Sequence, residues 1–470
     1  MPIPNDVDDD GDVDLVSGGS WDGSASMTLL RNDGRGGFTA ELIPPRPTMS
    51  MFAGGGALGD IDGDGHADMV FAGYSFGPPL GGADRPYVFI GDGAGNFSLD
   101  WTRFPVSPAR RGWPAVVDVD RDGDLDVVFS GETYGSVTGS VEIWLNDGRG
   151  FFTDGTVARV PAGTGTFEFL TTGDIDGDGA VDIVIGRGNW GSSNPIPKRI
   201  LWNDGTGHFT VQDLPPSWQS VTRAFVVDVD GDGRNDIFFK GGQGYLCLNQ
   251  GSRTLVQAPF PHCAGSDDDK WAQIIDIDAD GDPDVVYTGI LGGPWLALND
   301  GHGHFVAAPG WMHGGWPGVI HHLAVADVDG DGDEDAYAVM EAMPPLVPPG
   351  LGSVLFNLHR QVWGLPTATR GGTYDLEVCG RPGSVLAVAM SAARSMSPLP
   401  LGSLGSWHLE PSSTLVLGTL AMDVLGKGHV PLPIPNLPYL GNRRFYFQGL
   451  DLDRGAAPLH ATGWWSMLVQ

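Results

Sequence analysis

Asp6-Val7-Asp8-Asp9-Asp10-Gly11-Asp12-Val13-Asp14 carries aspartate at its first, third, fifth and ninth positions and glycine at its sixth. The same D-x-D-x-D-G-x-x-D pattern returns at Asp60, Asp118, Asp174, Asp228, Asp276 and Asp327, seven copies in 470 residues. Successive copies begin 54, 58, 56, 54, 48 and 51 residues apart. Self-similarity at a nearly fixed period marks a repeat architecture.

The flanks repeat as well. From the second copy onward a short apolar stretch leads into each loop, as in Ala115-Val116-Val117 and Ala324-Val325-Ala326. A β-branched or aromatic run follows, as in Asp126-Val127-Val128-Phe129 and Asp182-Ile183-Val184-Ile185. These are signals of buried strands. Some fifteen to twenty residues further on stands N-D-G-x-G-x-F, as Asn32 to Phe38, with further copies at Asn146, Asn203 and Asn299. Gly91 to Phe97 is a variant, Asn249-Gln250-Gly251 a decayed copy, and the seventh repeat keeps only Asn357. This is turn chemistry closed by an aromatic. One unit therefore reads strand, Asp loop, strand, turn, strand, Gly turn, strand. Four strands in about fifty residues make one propeller blade.

The expected fold is all-β: a seven-bladed β-propeller over residues 1–365, followed by a small C-terminal β-sandwich over residues 366–470. Only five residues precede Asp6, so the first blade is expected to lack most of its innermost strand. The 73 glycines and 36 prolines supply turns and show no collagen period. From residue 366 the Asp loops stop, and apolar runs such as Val385 to Met390 alternate with Gly and Pro turns. Val430-Pro431-Leu432-Pro433-Ile434-Pro435-Asn436-Leu437-Pro438 reads as an extended edge or linker.

These units resemble FG-GAP or VCBS repeats, the blades of the integrin α-subunit head and of many secreted bacterial proteins. The resemblance spans about residues 1–360. Its tripeptides are degraded here, as in Phe71-Ala72-Gly73 and Phe129-Ser130-Gly131, which favours the bacterial branch.

The Asp spacing points to calcium. Ca²⁺ takes six to eight oxygens, and alternate carboxylates in one tight turn supply several at once. The candidate ligands are Asp6, Asp8, Asp10 and Asp14; Asp60, Asp62, Asp64 and Asp68; Asp118, Asp120, Asp122 and Asp126; Asp174, Asp176, Asp178 and Asp182; Asp228, Asp230, Asp232 and Asp236; Asp276, Asp278, Asp280 and Asp284; and Asp327, Asp329, Asp331 and Asp335. Glycine at the sixth position permits the sharp reversal. An EF-hand would carry Glu at the twelfth position, where these repeats have an apolar strand. Zinc would need His or Cys as ligands. The 28 loop carboxylates are nearly half of the 58 acidic residues; without them the net charge of −32 would be −4. About seven Ca²⁺ are expected, with folding linked to their binding. Each loop is expected to act alone, so that Asp178→Ala removes one site.

Calcium modules with weak affinity fill outside the cell, so an extracellular or cell-surface location is expected. The N-terminus shows no signal peptide and no stretch is long and apolar enough for a membrane span. The 26 basic residues are scattered, which argues against nucleic acid. In propellers of this resemblance, one face holds the calcium loops. On the other face Trp21, Tyr74, Tyr134 and Trp190 follow the second strands, and Trp113, Trp218, Trp271 and Trp316 lie between blades. The first four are the candidate ligand-binding residues, by stacking on a sugar or gripping a protein; packing between blades is their alternative role. His302, His304, His313, His321 and His322 cluster near the last repeat. The expected function is calcium-dependent extracellular binding or adhesion, with a carbohydrate or protein ligand and no catalysis. A polysaccharide lyase and a purely structural surface protein are the alternatives. Cys247 and Cys263 would pair only in a secreted chain; buried thiols are the other reading.

Overall fold

The computed structural model describes residues 2–17, 27–34, 37–43, 54–72, 86–105, 112–130, 141–164, 169–186, 198–215, 221–241, 244–261, 272–277, 281–289, 292–307, 320–328, 334–340, 352–355, 362–364, 367–379, 385–400, 406–421, 427–440, 443–451 and 461–469. They are nearly all strand and turn. The one α-helix among them is the four-residue Thr156–Arg159.

Each repeat forms its own antiparallel sheet, with strands in chain order. The first joins Pro2–Asn5, Asp14–Ser17, Thr28–Arg31 and Thr39–Leu42. The second joins Gly54–Gly59, Asp68–Ala72, Tyr87–Gly91 and Phe97–Leu99. The third joins Pro114–Val117, Asp126–Phe129, Glu142–Asn146 and Phe152–Asp154. Phe169–Gly173, Asp182–Gly186, Arg199–Asn203 and Phe209–Asp213 make the fourth. Val221–Val227, Asp236–Gly241, Tyr245–Asn249 and Leu255–Ala258 make the fifth. Ala272–Ile275, Asp284–Gly289, Gly292–Leu298 and Val306–Ala307 make the sixth. The seventh has three described strands, Ile320–Ala326, Asp335–Met340 and Gly352–Leu355.

The expected gap in the first repeat does not occur. Pro2–Asn5 pairs along its whole length with Asp14–Ser17, Pro2 opposite Ser17 and Asn5 opposite Asp14. Four residues are enough because the first strand of the third sheet is equally short.

The apolar runs after the loops are buried on both faces, and the period of two sorts their side chains between neighbouring sheets. Val127 and Phe129 pack with Val70 and Val88 of the second sheet. Val128, between them, packs with Ile183 and Ile185 of the fourth. The same division joins sheets one and two through Val16, Leu29 and Phe89, and four and five through Val184, Trp202 and Phe239. Phe238 and Val285 join five and six, and Val286 and Leu323 join six and seven. Leu15 of the first sheet packs with Ala324 and Tyr337 of the seventh. Phe38 meets the Tyr337 ring edge-on at 6.0 Å between centroids.

The C-terminal strands begin with Val362–Gly364, which pairs with Thr373–Cys379. Lys427–Pro433 covers the other side of Thr373–Cys379 and forms an edge of that three-stranded sheet. The proline-rich segment is thus an edge strand as far as Pro433, where a missing N–H is tolerated, and is no longer strand from Ile434 on. A second sheet orders Thr367–Ala368, Ala461–Val469, Arg444–Asp451, Val385–Ser391 and Thr414–Ala421. Tyr374, Leu376 and Val378 share one core with Leu386, Val388 and Phe447 across the two sheets. Cys247 is a free buried thiol, pushed up to about 12 by its burial; Cys263 lies outside the described residues.

Candidate metal centres

Each Asp loop connects the first strand of its sheet to the second, and its shape follows from its own hydrogen bonds. The first-position carboxylate accepts backbone N–H groups from the turn it encloses. Asp60 takes those of Gly63, Asp64 and Gly65 at 2.8, 3.1 and 2.9 Å. Asp174 and Asp228 do the same with Gly177 and Gly179, and with Gly231 and Gly233. The fifth-position carboxylate accepts the N–H two residues on, as Asp122 does from Asp124 at 3.0 Å. The sixth-position glycine has φ of 93°, 94°, 97°, 82°, 83° and 95° in loops one to six, so the reversal uses the left-handed region.

The ninth-position aspartate is buried in all seven loops. Asp126 shows why. Its Oδ2 accepts the Val119 N–H at 3.0 Å and its Oδ1 the Asn146 N–H at 2.8 Å. It ties the loop entrance to the end of the third strand. Asp14, Asp68, Asp182, Asp236 and Asp284 make the same two bonds.

The carboxylates converge. Oxygens of Asp6, Asp8 and Asp10 lie within 4.8 Å of one another, as do those of Asp118, Asp120 and Asp122. In three other loops the close trio is the first, third and ninth: Asp60, Asp62 and Asp68; Asp174, Asp176 and Asp182; Asp228, Asp230 and Asp236. Asp278, Asp280, Asp329 and Asp331 lie outside the described residues. The test of fit for a cation is at the third position. One buried oxygen each of Asp8, Asp62 and Asp120 has no hydrogen-bond partner. A buried carboxylate oxygen without a donor is costly, and a hard cation is the partner this donor set suits. Five described loops can hold a metal ion on these grounds.

The electrostatics agree. Burial pushes Asp126 up to about 7 and Asp68, Asp182 and Asp236 up to about 6, while backbone N–H donors pull the other way and neighbouring aspartates add to the rise. A carboxyl raised above its ordinary value contributes stability that is complete below pH 4 and lost as pH rises to about 7. The chelated protein is therefore expected to melt higher near pH 5 than near pH 8. Bound calcium should reverse that order, because it needs the carboxylates ionised. Thermal melts at the two pH values, with and without chelator, check both signs; a chelated protein more stable at the higher pH would count against it.

Two kinds of residue around the loops are not legible as site residues from the motif. The asparagine that opens the Gly turn is one. Its side chain is buried, and its Nδ2 donates to the preceding loop: Asn146 to Ile61 O at 2.7 Å, Asn203 to Val119 O at 2.8 Å, Asn249 to Ile175 O at 2.6 Å and Asn299 to Val229 O at 2.8 Å. Asn32 donates to Val328 O at 2.7 Å, from the first sheet to the seventh loop. Its recurrence at one place in every repeat but the second was the signal. The arginines are the other. Arg31, Arg103, Arg159 and Arg253 each pair with the third-position aspartate of a loop, respectively Asp8, Asp62, Asp120 and Asp176. Arg103 and Arg159 both follow the fourth strand of their repeat, 41 and 39 residues after the aspartate they meet, while Arg31 and Arg253 come from other places, so no single spacing reveals all four.

The proposed ligand residues Trp21, Tyr74, Tyr134 and Trp190 lie outside the described residues, as do Trp218, Trp271, Trp316 and His313. Trp113 is described, and the Arg223 guanidinium stands over its ring at 5.0 Å. His302 and His304 sit on the Gly turn of the sixth sheet, where Asp300 accepts both of their N–H groups. His321 and His322 fall in the first strand of the seventh sheet.

A family described as "FG-GAP-like repeat" matches residues 6–71, 118–185 and 276–338. The chain carries FG-GAP-like repeats. The three FG-GAP matches contain six of the seven Asp loops; the loop at Asp228 falls between them. No protein among the curated ones matches. Among solved structures, Escherichia coli alpha-2-macroglobulin activated by porcine elastase is 10% identical, at a TM-score of 0.16, over 94% of this chain and 42% of that one. A tetra-tandem repeat in the extending region of a large adhesion protein is 12% identical, at 0.16, over 88% and 98%. Salmonella alpha-2-macroglobulin reacted with methylamine is 11% identical, at 0.17, over 96% and 35%. The chain thus spans less than half the length of either macroglobulin. No helix among the described residues is long and apolar enough to cross a membrane.

Proposed function

We propose that the Asp loops bind calcium and that calcium holds together a seven-bladed propeller acting outside the cell as a binding or adhesion module. The observation that carries the metal reading is the unpartnered buried oxygen on Asp8, Asp62 and Asp120, each beside a first-position carboxylate. Oxygen-only donors favour a hard cation, and the irregular loop cage suits Ca²⁺ better than Mg²⁺, which needs near-ideal octahedral geometry. Three features support closure into a ring. Apolar clusters join every consecutive pair of sheets and also the seventh to the first. Pro2–Asn5 lies against Ile320–Ala326. Asn32 repeats between the first and seventh sheets the bond that other asparagines make between neighbours.

Loops of this kind belong where calcium is millimolar, which supports an extracellular or surface location. The ligand is a carbohydrate or a protein, taken by the aromatic loops at the end away from the metals, with binding rather than turnover as the activity. A glycan-array screen in millimolar Ca²⁺, repeated in EDTA, tests this. Calcium-dependent binding of a defined sugar class is the expected result, and Trp190→Ala should abolish it. Calcium-independent binding would detach the ligand site from the propeller; turnover of a polymer would replace adhesion by catalysis.

A further inference from the structure

The asparagine bridges do more than join sheets. Asn146 donates its N–H to Asp126, the ninth residue of loop three, and its Nδ2 to Ile61 O, the second residue of loop two. The Ile61 N–H in turn donates to Asp68, the ninth residue of loop two, at 3.0 Å. The route from one buried carboxylate to the next is thus Asp126, Asn146, Ile61, Asp68, every step a hydrogen bond of 2.7–3.0 Å. The Asn146 Oδ1 is also committed, accepting the Gly150 N–H at 2.9 Å, so the side chain has one orientation. The same steps run from loop four to three through Asn203 and from five to four through Asn249.

Among the described residues the relay breaks at one place. The second sheet has Gly91 where the others have asparagine, so Asp68 receives a backbone N–H there but no side chain continues to loop one. Those two units are joined instead by the backbone bond of Gly95 N to Val7 O at 3.1 Å and by surface side-chain bonds, His66 Nδ1 with Asp9 at 2.7 Å and Arg31 to Ala94 O at 3.4 Å, none of which touches a ninth-position carboxylate.

We infer that these asparagines are positioning residues for two metal loops at once, so that neighbouring loops fill with calcium cooperatively except between loops one and two. The inference rests on the calcium reading and departs from independent sites. Calcium on loop three fixes Asp126 in the position from which it accepts the Val119 and Asn146 N–H groups. That fixes Asn146, which then holds the Ile61 carbonyl and the entrance to loop two. Loop two therefore has less freedom left to lose when its own ion arrives. Direct repulsion between bound cations acts in the opposite sense and is screened by salt, so positive coupling is the signature of the bridge.

Hydrogen exchange of the peptides spanning residues 60–68 and 118–126, followed through a calcium titration of the full chain, reads each loop separately. Asp122→Ala removes a loop-three ligand that has no bond to loop two. It is expected to raise the calcium midpoint of loop two by about fivefold or more. In an Asn146→Gly background, which copies the natural Gly91, that shift should vanish. An unchanged loop-two midpoint in Asp122→Ala, or a shift that persists with Asn146→Gly, overturns the inference. Should Asn146→Gly not fold, the comparison is Asp64→Ala in a His66→Ala background, which removes the surface contact of His66 with Asp9: loop one is expected to shift less than loop two does in Asp122→Ala, and an equal or larger shift overturns the coupling route. Calcium protecting no loop at all would sink the calcium reading together with the coupling, whereas loops that fill without influencing each other sink the coupling alone.

Discussion

Removing calcium is expected to lower the melting temperature of this protein by on the order of 10 °C or more. A ligand that binds only the folded chain stabilises it by RT ln(1 + [L]/Kd), about 1.4 kcal/mol per site when free calcium is about ten times Kd. Seven such sites amount to about 10 kcal/mol, comparable to the whole stability of an ordinary domain. The metal-free loops carry a further cost. Asp68, Asp126, Asp182 and Asp236 are buried beside other carboxylates, and one oxygen each of Asp8, Asp62 and Asp120 has no donor. Scanning calorimetry in millimolar Ca²⁺ and in EDTA measures the difference. A melt indifferent to EDTA would mean that the loops stay empty in solution.

The second large effect is expected at the ninth position. Asp126→Ala removes the acceptor of two backbone N–H groups, Val119 and Asn146, in a buried place. Leaving buried donors unpaired costs about 1–3 kcal/mol each. Asp126→Ala should thus destabilise the protein by about 2–5 kcal/mol in EDTA, before any metal is considered. Asp122→Ala is the contrast. Asp122 is exposed and serves its own loop through the Asp124 N–H, so its loss should matter little in EDTA and show mainly in calcium. Denaturant unfolding of both variants, with and without chelator, separates a clamp from a ligand. Equal behaviour of the two in EDTA would refute the division of labour between the positions.

Much of this was legible in the chain. Among the described residues, the first five Asp loops, the strands on either side and the Gly turns between third and fourth strands stand in the structure where the pattern puts them. Local chemistry suffices for that: glycine admits the left-handed turn, alternate aspartates face one point, and apolar runs require burial. The length rule that denied the first repeat its inner strand failed because pairing with Asp14–Ser17 needs only four residues.

Other things were decided by the tertiary structure. The sequence alone shows Asn32, Asn146, Asn203, Asn249 and Asn299 as turn formers, because a side chain's long-range partner is not written in its neighbours. Only stacked sheets bring Asn146 to Ile61, 85 positions away, and Asn32 to Val328, 296 positions away. The arginines on the third-position aspartates are invisible for the same reason: Arg31 ends a third strand, Arg159 ends the short helix and Arg253 sits in a turn, yet all three reach equivalent carboxylates. The sequence by itself determined the Asp loops and the repeat, since both follow from contacts within nine residues and from strand periodicity. The tertiary structure decided which loop touches which, because a bond between repeats exists only once the sheets have packed.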